Sequence, residues 1–228
     1  MAGLLFIISA PSGSGKSTLV SEVRRLVSGL EFSVSYTTRA PRGSEEDGKE
    51  YHFITRERFE RMIAADEFLE WAQVFGKDYY GTARTALTHA GEQGHDLLLD
   101  IDVQGALQVM EKMPEAVSIF ILPPSPQVLE LRLRNRSQAE GVTQEEVIER
   151  RLNQARTELS RIERYRYALV NDVLDQAASE MRSIVLTARS EASEEDGYLA
   201  ASCETRAGSA RLASSLSSFG VSLEHFPC

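Results

Sequence analysis

The stretch from Phe6 to Val20, FIISAPSGSGKSTLV, restricts the possible folds of this chain more than any other. A short, branched apolar run from Leu4 to Ser9 has the length and composition of a buried strand. Small residues follow, with Gly13 and Gly15 placed just before Lys16 and Ser17. An amphipathic pattern then runs from Lys16 to about Ser28. Strand, glycine turn and helix in this order match the phosphate-binding pattern G-x-x-x-x-G-K-[ST], with Ala10 in place of the first glycine. Such a loop works through backbone amides, and alanine keeps its amide. Gly13 and Gly15 stand where the chain must curl around phosphate oxygens. Lys16 is expected to reach the β- and γ-phosphates, and Ser17 to offer its hydroxyl to Mg2+. The helix that starts there points its positive end at the anion.

A strand feeding a helix in this way calls for a parallel sheet, and the rest of the chain supplies one. DLLLDID (96–102), VSIFIL (117–122) and YALVN (167–171) read as further buried strands. Between them, 103–113, 126–135, 144–163 and 173–189 carry helical patterns. Ser125-Pro126 is an N-cap followed by proline at the first helical position, and Thr143 with Glu146 forms a capping box. Alternation of this kind predicts an α/β domain with helices on both faces of the sheet. Residues 31–95 break the rhythm with shorter polar-alternating pieces, FSVSY, EYHFIT and FLEWAQV, around a helix at 56–66. They read as an inserted, partly antiparallel lobe. Residues 136–142 read as a mobile hairpin between arginine-bearing helices.

From Ser190 the chain turns rich in Ser, Ala and Gly, with six acids against two arginines and no sustained period. A disordered tail over 190–228 is expected. Both cysteines, Cys203 and Cys228, fall in it and form no disulfide framework or zinc site. A reducing, cytoplasmic setting is expected. At 228 residues the chain has room for one sizeable α/β domain. Its net charge of −9 argues against a nucleic-acid surface, and no apolar run has the ~20 residues that span a bilayer. Local clusters of arginine in so acidic a chain therefore carry information. LLLD ends a buried strand in Asp100, a position suited to ordering the water shell of Mg2+.

The segment TTRAPRGSEEDGKEYHFI, Thr37 to Ile54, fits throughout the pattern T-[ST]-R, two residues, a base, two residues, an acid, two residues, Gly, two residues, Tyr-x-aromatic-aliphatic. FLEWAQVFG, YYGT, LLLDIDVQGA, IFILPPS and LVND follow in order. On these motifs the chain resembles the guanylate kinases of bacterial type over roughly residues 3–189. The resemblance implies a P-loop nucleoside monophosphate kinase fold with a parallel sheet core (1–30 and 96–189), a mixed α+β GMP-binding lobe (31–95) and a short lid at about 132–151. It implies transfer of the γ-phosphate of MgATP to GMP, and to dGMP, in purine nucleotide metabolism. Mg2+ is the implied cofactor and ATP and GMP the implied partners, with no nucleic acid or membrane; oligomeric state is left open.

What the resemblance implies for single residues is chemically coherent. Ala10, Pro11, Ser12, Gly13, Ser14, Gly15, Lys16, Ser17 and Thr18 would wrap the ATP phosphates, with Asn171 near the adenine. Arg39 and Arg42, three apart on a polar loop, suit a bidentate grip on a monophosphate. Tyr51 and Tyr80 would add hydroxyls to the same phosphate. Ser35, Glu70, Thr82 and Asp102 would read guanine, the carboxylates accepting from N1–H and the 2-amino group, with Asp100 beside them. Arg132, Arg136 and Arg151 would close on the ATP phosphates. Two other uses stay open: an interaction module of the same fold without catalysis, or a kinase of another phosphorylated acceptor. The complete Gly15-Lys16-Ser17 speaks against the first, and the base-reading set against the second. YYGT is preceded by one residue more than is usual in the family, and Ser137 stands where glycine is common.

Overall fold

The computed structural model describes residues 3–74, 76–139 and 145–222. In chain order, β1 (Leu5–Ser9) leads through the glycine loop into α1 (Lys16–Leu26). Then come β2 (Leu30–Phe32), β3 (Tyr36–Thr37), β4 (His52–Phe53), α2 (Arg56–Ala64), β5 (Phe68–Val74), β6 (Asp78–Ala83) and α3 (Arg84–Glu92). They are followed by β7 (Asp96–Asp100), α4 (Val103–Lys112), β8 (Val117–Leu122), α5 (Pro126–Ala139), α6 (Glu145–Leu159), β9 (Tyr167–Val170) and α7 (Leu174–Ala188). Two further helices close the described chain, α8 (Glu194–Ser202) and α9 (Ala210–Ser218). One sheet has the order β2-β7-β1-β8-β9, the other β4-β3-β6-β5.

The chain divides into two compact units, Met1–Ile7 with Gly29–Val117, and Ile8–Ser28 with Ser118–Cys228. In the first, β2 pairs parallel with β7, Leu30 opposite Asp96. Its antiparallel part pairs β6 with both β3 and β5, while β3 and β4 run parallel. Phe59, Met62 and Phe68 form a small core there, packed by Tyr36, Ile54, Ile63 and Tyr79. The Phe59 ring stacks on Phe68 at 4.4 Å and on Tyr79 at 5.2 Å. In the second unit β8 and β9 pair parallel, Ile119 opposite Tyr167, and every residue of both strands is buried. Strands covered on both faces need apolar side chains on both, which is why these segments read as unbroken runs. Ser125 caps α5 as its sequence predicts, its hydroxyl accepting from the Val128 amide at 3.3 Å.

Four expectations differ from the structure. FSVSY splits: its first residue ends β2 in the parallel sheet, whereas Tyr36 opens β3 in the antiparallel one. The lobe, expected to hold one helix at 56–66, holds a second, α3. The largest difference is the C-terminal segment, expected to be disordered. Ser193 makes a complete capping box with Asp196 at the start of α8, and Ser209 caps α9. Ala200, Cys203, Leu212, Leu216 and Phe219 are buried. A handful of well-spaced apolar residues is enough when the rest of the surface is supplied by α7 and β9, on which these helices pack. Burial pushes the Cys203 thiol up to about 12, so it is an inert packing residue. Residues 136–139 of the expected hairpin continue α5; its remainder and the Thr143 capping box lie outside the described residues, as do His225 and Cys228. Among the described residues no helix is long and apolar enough to cross a membrane.

Candidate active site

The glycine loop belongs to the second unit, and each of its glycines has a reason. Gly13 (φ 90°) and Gly15 (φ 82°) adopt left-handed backbone that side chains resist. A Cβ on Gly15 would lie 2.5 Å from Asn171 Nδ2, and one on Gly13 3.0 Å from Leu129 Cδ1. Among the described non-glycine residues, positive φ occurs at Asp66 and Ser190 and not at Ala10, so alanine sits there without strain. Gly15 is the N-cap of α1, makes no side-chain cap, and no acid lies in the first turn. The first amides of α1 therefore present positive partial charge with no acid of their own turn against it, the arrangement that receives an anion. Lys16 is half-buried at this position, with Ser17 and Thr18 exposed after it.

Two side chains anchor the loop from behind. Asn171 Nδ2 donates to the Ser14 carbonyl at 2.8 Å, and Arg132 Nη1 donates to the same oxygen at 3.2 Å. Arg132 Nη2 donates to the Asn171 carbonyl at 3.1 Å. Asn171, expected near the adenine, is thus buried with its amide committed to the loop. Arg136 is exposed on α5, and Arg151 on α6 donates to Ser137 Oγ at 3.3 Å. The neighbouring Arg134 is bound by Glu130 and Glu145 on the helix surface.

The other predicted residues belong to the first unit. Arg39 is buried, and its guanidinium is tied in four places. Nη1 and Nη2 grip Glu45 at 2.8 and 3.0 Å, Nη1 also donates to the Ala40 carbonyl, and Nε donates to Tyr80 Oη at 3.1 Å. The bond with Glu45, opposed by burial and helped by Tyr80, holds Arg39 charged well above its ordinary range. Glu45 in turn is held below the usual carboxylate range, by Arg39 first. Glu45 also accepts from the Arg42 amide at 2.8 Å, so one carboxylate fixes both arginines' backbone and fork. Sequence reading left Glu45 as an unassigned acid in the motif. The Tyr51 ring lies 5.2 Å from Arg39 Cζ and 5.7 Å from the Tyr80 ring. Burial raises the Tyr51 hydroxyl's pKa, which keeps it a donor. Tyr80 accepts from Arg39, so its own proton is directed elsewhere. Tyr79 instead packs in the core against Phe59.

Glu70 lies opposite Thr82 on β5 and β6 and is 3% exposed. Burial pushes its carboxyl up to about 7; bonds from Thr82 oppose this and the nearby Asp102 adds to it. Ser35 Oγ and Thr82 Oγ1 are 3.3 Å apart. Asp102 caps α4, accepting from the Gly105 amide at 2.8 Å. A Cβ on Gly105 would stand 2.4 Å from Glu70 Oε2, so this glycine makes the space in which the carboxylate lies. Its signal was a glycine in the first turn of a helix, where alanine is preferred by about 1 kcal/mol. A buried carboxylate, a hydroxyl pair and a second carboxylate can together accept two donors and donate to one acceptor, which is the pattern of guanine's edge.

The donor set also fits Mg2+ brought in by a nucleotide. Among the described residues no group of three or more His, Cys, Asp or Glu could form a cage. Mg2+ of this kind is held largely through substrate phosphates and water, with one or two protein oxygens, and Ser17, exposed in the first turn of α1, offers one.

A sheet whose first strand runs through a glycine loop into a helix with no acid in its first turn is the arrangement of P-loop phosphate-binding folds. The comparisons with known proteins agree. A guanylate kinase family model matches residues 3–188. A guanylate kinase of Koribacter versatilis is 59% identical over 189 residues, covering 83% of this chain and 80% of that protein. One of Neisseria meningitidis is 48% identical over 198 residues, covering 87% and 94%. The crystal structure of guanylate kinase from Anaplasma phagocytophilum superposes with a TM-score of 0.64 at 34% identity, covering 86% of this chain and 89% of that one. The chain belongs to the guanylate kinase family.

Proposed function

We propose that this chain transfers the γ-phosphate of MgATP to GMP, and to dGMP, yielding ADP and GDP. Phosphoryl transfer asks little covalent chemistry of a protein: the acceptor oxygen is already anionic, so no general base is needed. Rate comes from in-line positioning and from charge placed on the transferring group. The backbone amides of Gly13 to Thr18 hold the donor phosphates, and Lys16 neutralises charge between β and γ. Arg132, Arg136 and Arg151 supply further positive charge. Mg2+ entering with ATP, ligated by Ser17 and ordered through water by Asp100, would withdraw charge from the phosphate oxygens. Tyr51 and Tyr80 donate to the GMP phosphate, with Arg39 held rigid by Glu45 beneath them and Arg42 alongside. Glu70 and Asp102 accept from guanine N1–H and the 2-amino group, while Ser35 and Thr82 serve O6. Asn171 acts on ATP through the loop it holds. A reaction between free nucleotides fits a cytoplasmic setting.

The observation that carries this reading is Glu70, an acid buried to 3% exposure beside hydroxyls and a second acid. A buried carboxylate costs stability unless a ligand supplies donors, and adenine presents an acceptor at N1 where guanine presents a hydrogen. The test is ADP formation by the purified chain from MgATP with GMP, dGMP, AMP, UMP or no acceptor. Turnover with GMP and dGMP and almost none with AMP or UMP is expected. Equal rates with AMP would overturn the base assignment.

A further inference from the structure

The family match ends at residue 188, yet the chain beyond it is bound into the second unit at several places, among them the three described next. The Ala168 amide donates to the Cys203 carbonyl and the Thr205 amide to the Arg166 carbonyl, each at 2.9 Å, so the segment covers the outer edge of β9. Ser215 Oγ, buried, donates to the Pro123 carbonyl at 2.9 Å, just past the end of β8. Arg211 on α9 makes the third attachment. Its guanidinium donates to the Val170 carbonyl and the Asp172 carboxylate, and also to Glu180 on α7.

The placement of the Arg211 bonds matters because Asn171 lies between two of the partners. Asn171 is the residue whose amide holds the Ser14 carbonyl and whose side chain fills the space that the lack of a Cβ on Gly15 leaves. Its carbonyl also receives Arg132. Fixing both flanking residues fixes the peptide planes on either side of Asn171, and so the direction of its side chain. Burial pushes the Asp172 carboxyl up, but the hydrogen bond from Arg211 and the Val173 amide outweigh it and hold the acid below its ordinary range. Glu180, which also accepts from Gln176 at 3.0 Å, completes the clamp on α7.

We propose that Arg211 is a positioning residue for the nucleotide-donor loop: the C-terminal helices serve as a brace that sets Asn171, and through it Ser14 and Gly15. The inference rests on the reading that this loop binds ATP. It makes the segment beyond the family match part of the functional apparatus.

The test uses the full chain with Arg211→Met, which keeps an apolar stem and removes every donor, and with Arg211→Lys, which restores one charge. ATP affinity is measured by equilibrium dialysis without GMP, and KM is measured for each substrate. Arg211→Met is expected to weaken ATP about three- to tenfold, the usual size for a coupled residue that does not touch ligand. KM for GMP should stay unchanged, amide exchange in Ser14–Thr18 should quicken, and Arg211→Lys should recover part of the loss. Should Arg211→Met fail to fold, Asp172→Asn keeps the shape of the clamp and is expected to show a smaller loss in the same direction. Unchanged ATP affinity, or equal weakening of ATP and GMP, would overturn the brace. A wild-type chain that does not bind ATP would overturn the donor-loop reading itself.

Discussion

Acidification should switch off guanine recognition, because Glu70, the carboxylate proposed to accept from guanine, holds its proton until about pH 7. The ordinary value for a glutamate is 4.5, and the gap to about 7 corresponds to about 3 kcal/mol against the ionised form. With the folded value raised, the free protein binds the proton more tightly than the unfolded chain. The stability this contributes is complete below 4.5 and is lost as pH rises through about 7. GMP binding requires the ionised form, so affinity runs the other way. At pH 6 only about one molecule in ten has Glu70 ionised, which gives about a tenfold weaker affinity than at pH 8. The phosphate of GMP titrates near pH 6 as well, so the comparison is made with Glu70→Gln, which keeps the phosphate's contribution and removes Glu70's. Glutamine would also turn amide hydrogens toward guanine's own donors. The expected loss is about 10²- to 10⁴-fold in kcat/KM for GMP, with KM for ATP unchanged. Calorimetric titration with GMP from pH 5.5 to 8.5 measures the affinity profile, and initial rates measure kcat/KM for GMP and KM for ATP. An identical pH profile in wild type and Glu70→Gln would refute the reasoning.

Further outcomes follow from single contacts. Gly105→Ala should raise helix propensity yet weaken GMP about tenfold or more, since its Cβ would meet Glu70 Oε2 at 2.4 Å. The ratio of kcat/KM for GMP over IMP, which lacks the 2-amino group, should fall with it. Glu45→Gln should raise KM for GMP by at least about tenfold, as the charge-assisted grip on Arg39 is lost. KM for ATP checks that the effect is confined to the acceptor. Gly15→Ala should abolish measurable ATP binding by dialysis, because the left-handed backbone and the 2.5 Å approach of Asn171 leave no room to adjust.

Much of the fold could be read from the sequence because its strands are buried on both faces. LFIIS, VSIFIL and YALV have no polar side to confuse their type, and the proline after each of the first two helps mark where it ends. The C-terminal helices were not legible for the opposite reason. Their apolar content is thin, and only Leu212, Leu216 and Phe219, spaced four and three apart, trace a buried face among serines and alanines. Ser193 with Asp196 was a readable cap, but a cap without an apolar stripe does not call a helix. In the site, residues bearing motif chemistry were legible, while those that hold them were not. The role of Glu45 lies in its grip on Arg39, and that of the Asn171 amide in its bond to the Ser14 carbonyl. Such supports act through distances between segments far apart in sequence, which no local pattern encodes.

The most direct measurement of the central claim follows the γ-phosphate itself. Purified chain is incubated with γ-labelled MgATP and GMP, and the nucleotides are separated. Label is expected in GDP, dependent on GMP, with Lys16→Ala lowering the rate about 10²- to 10³-fold, as loss of a charge on the transferring group does. Label appearing only as free phosphate, or Lys16→Ala retaining the wild-type rate, would contradict the account.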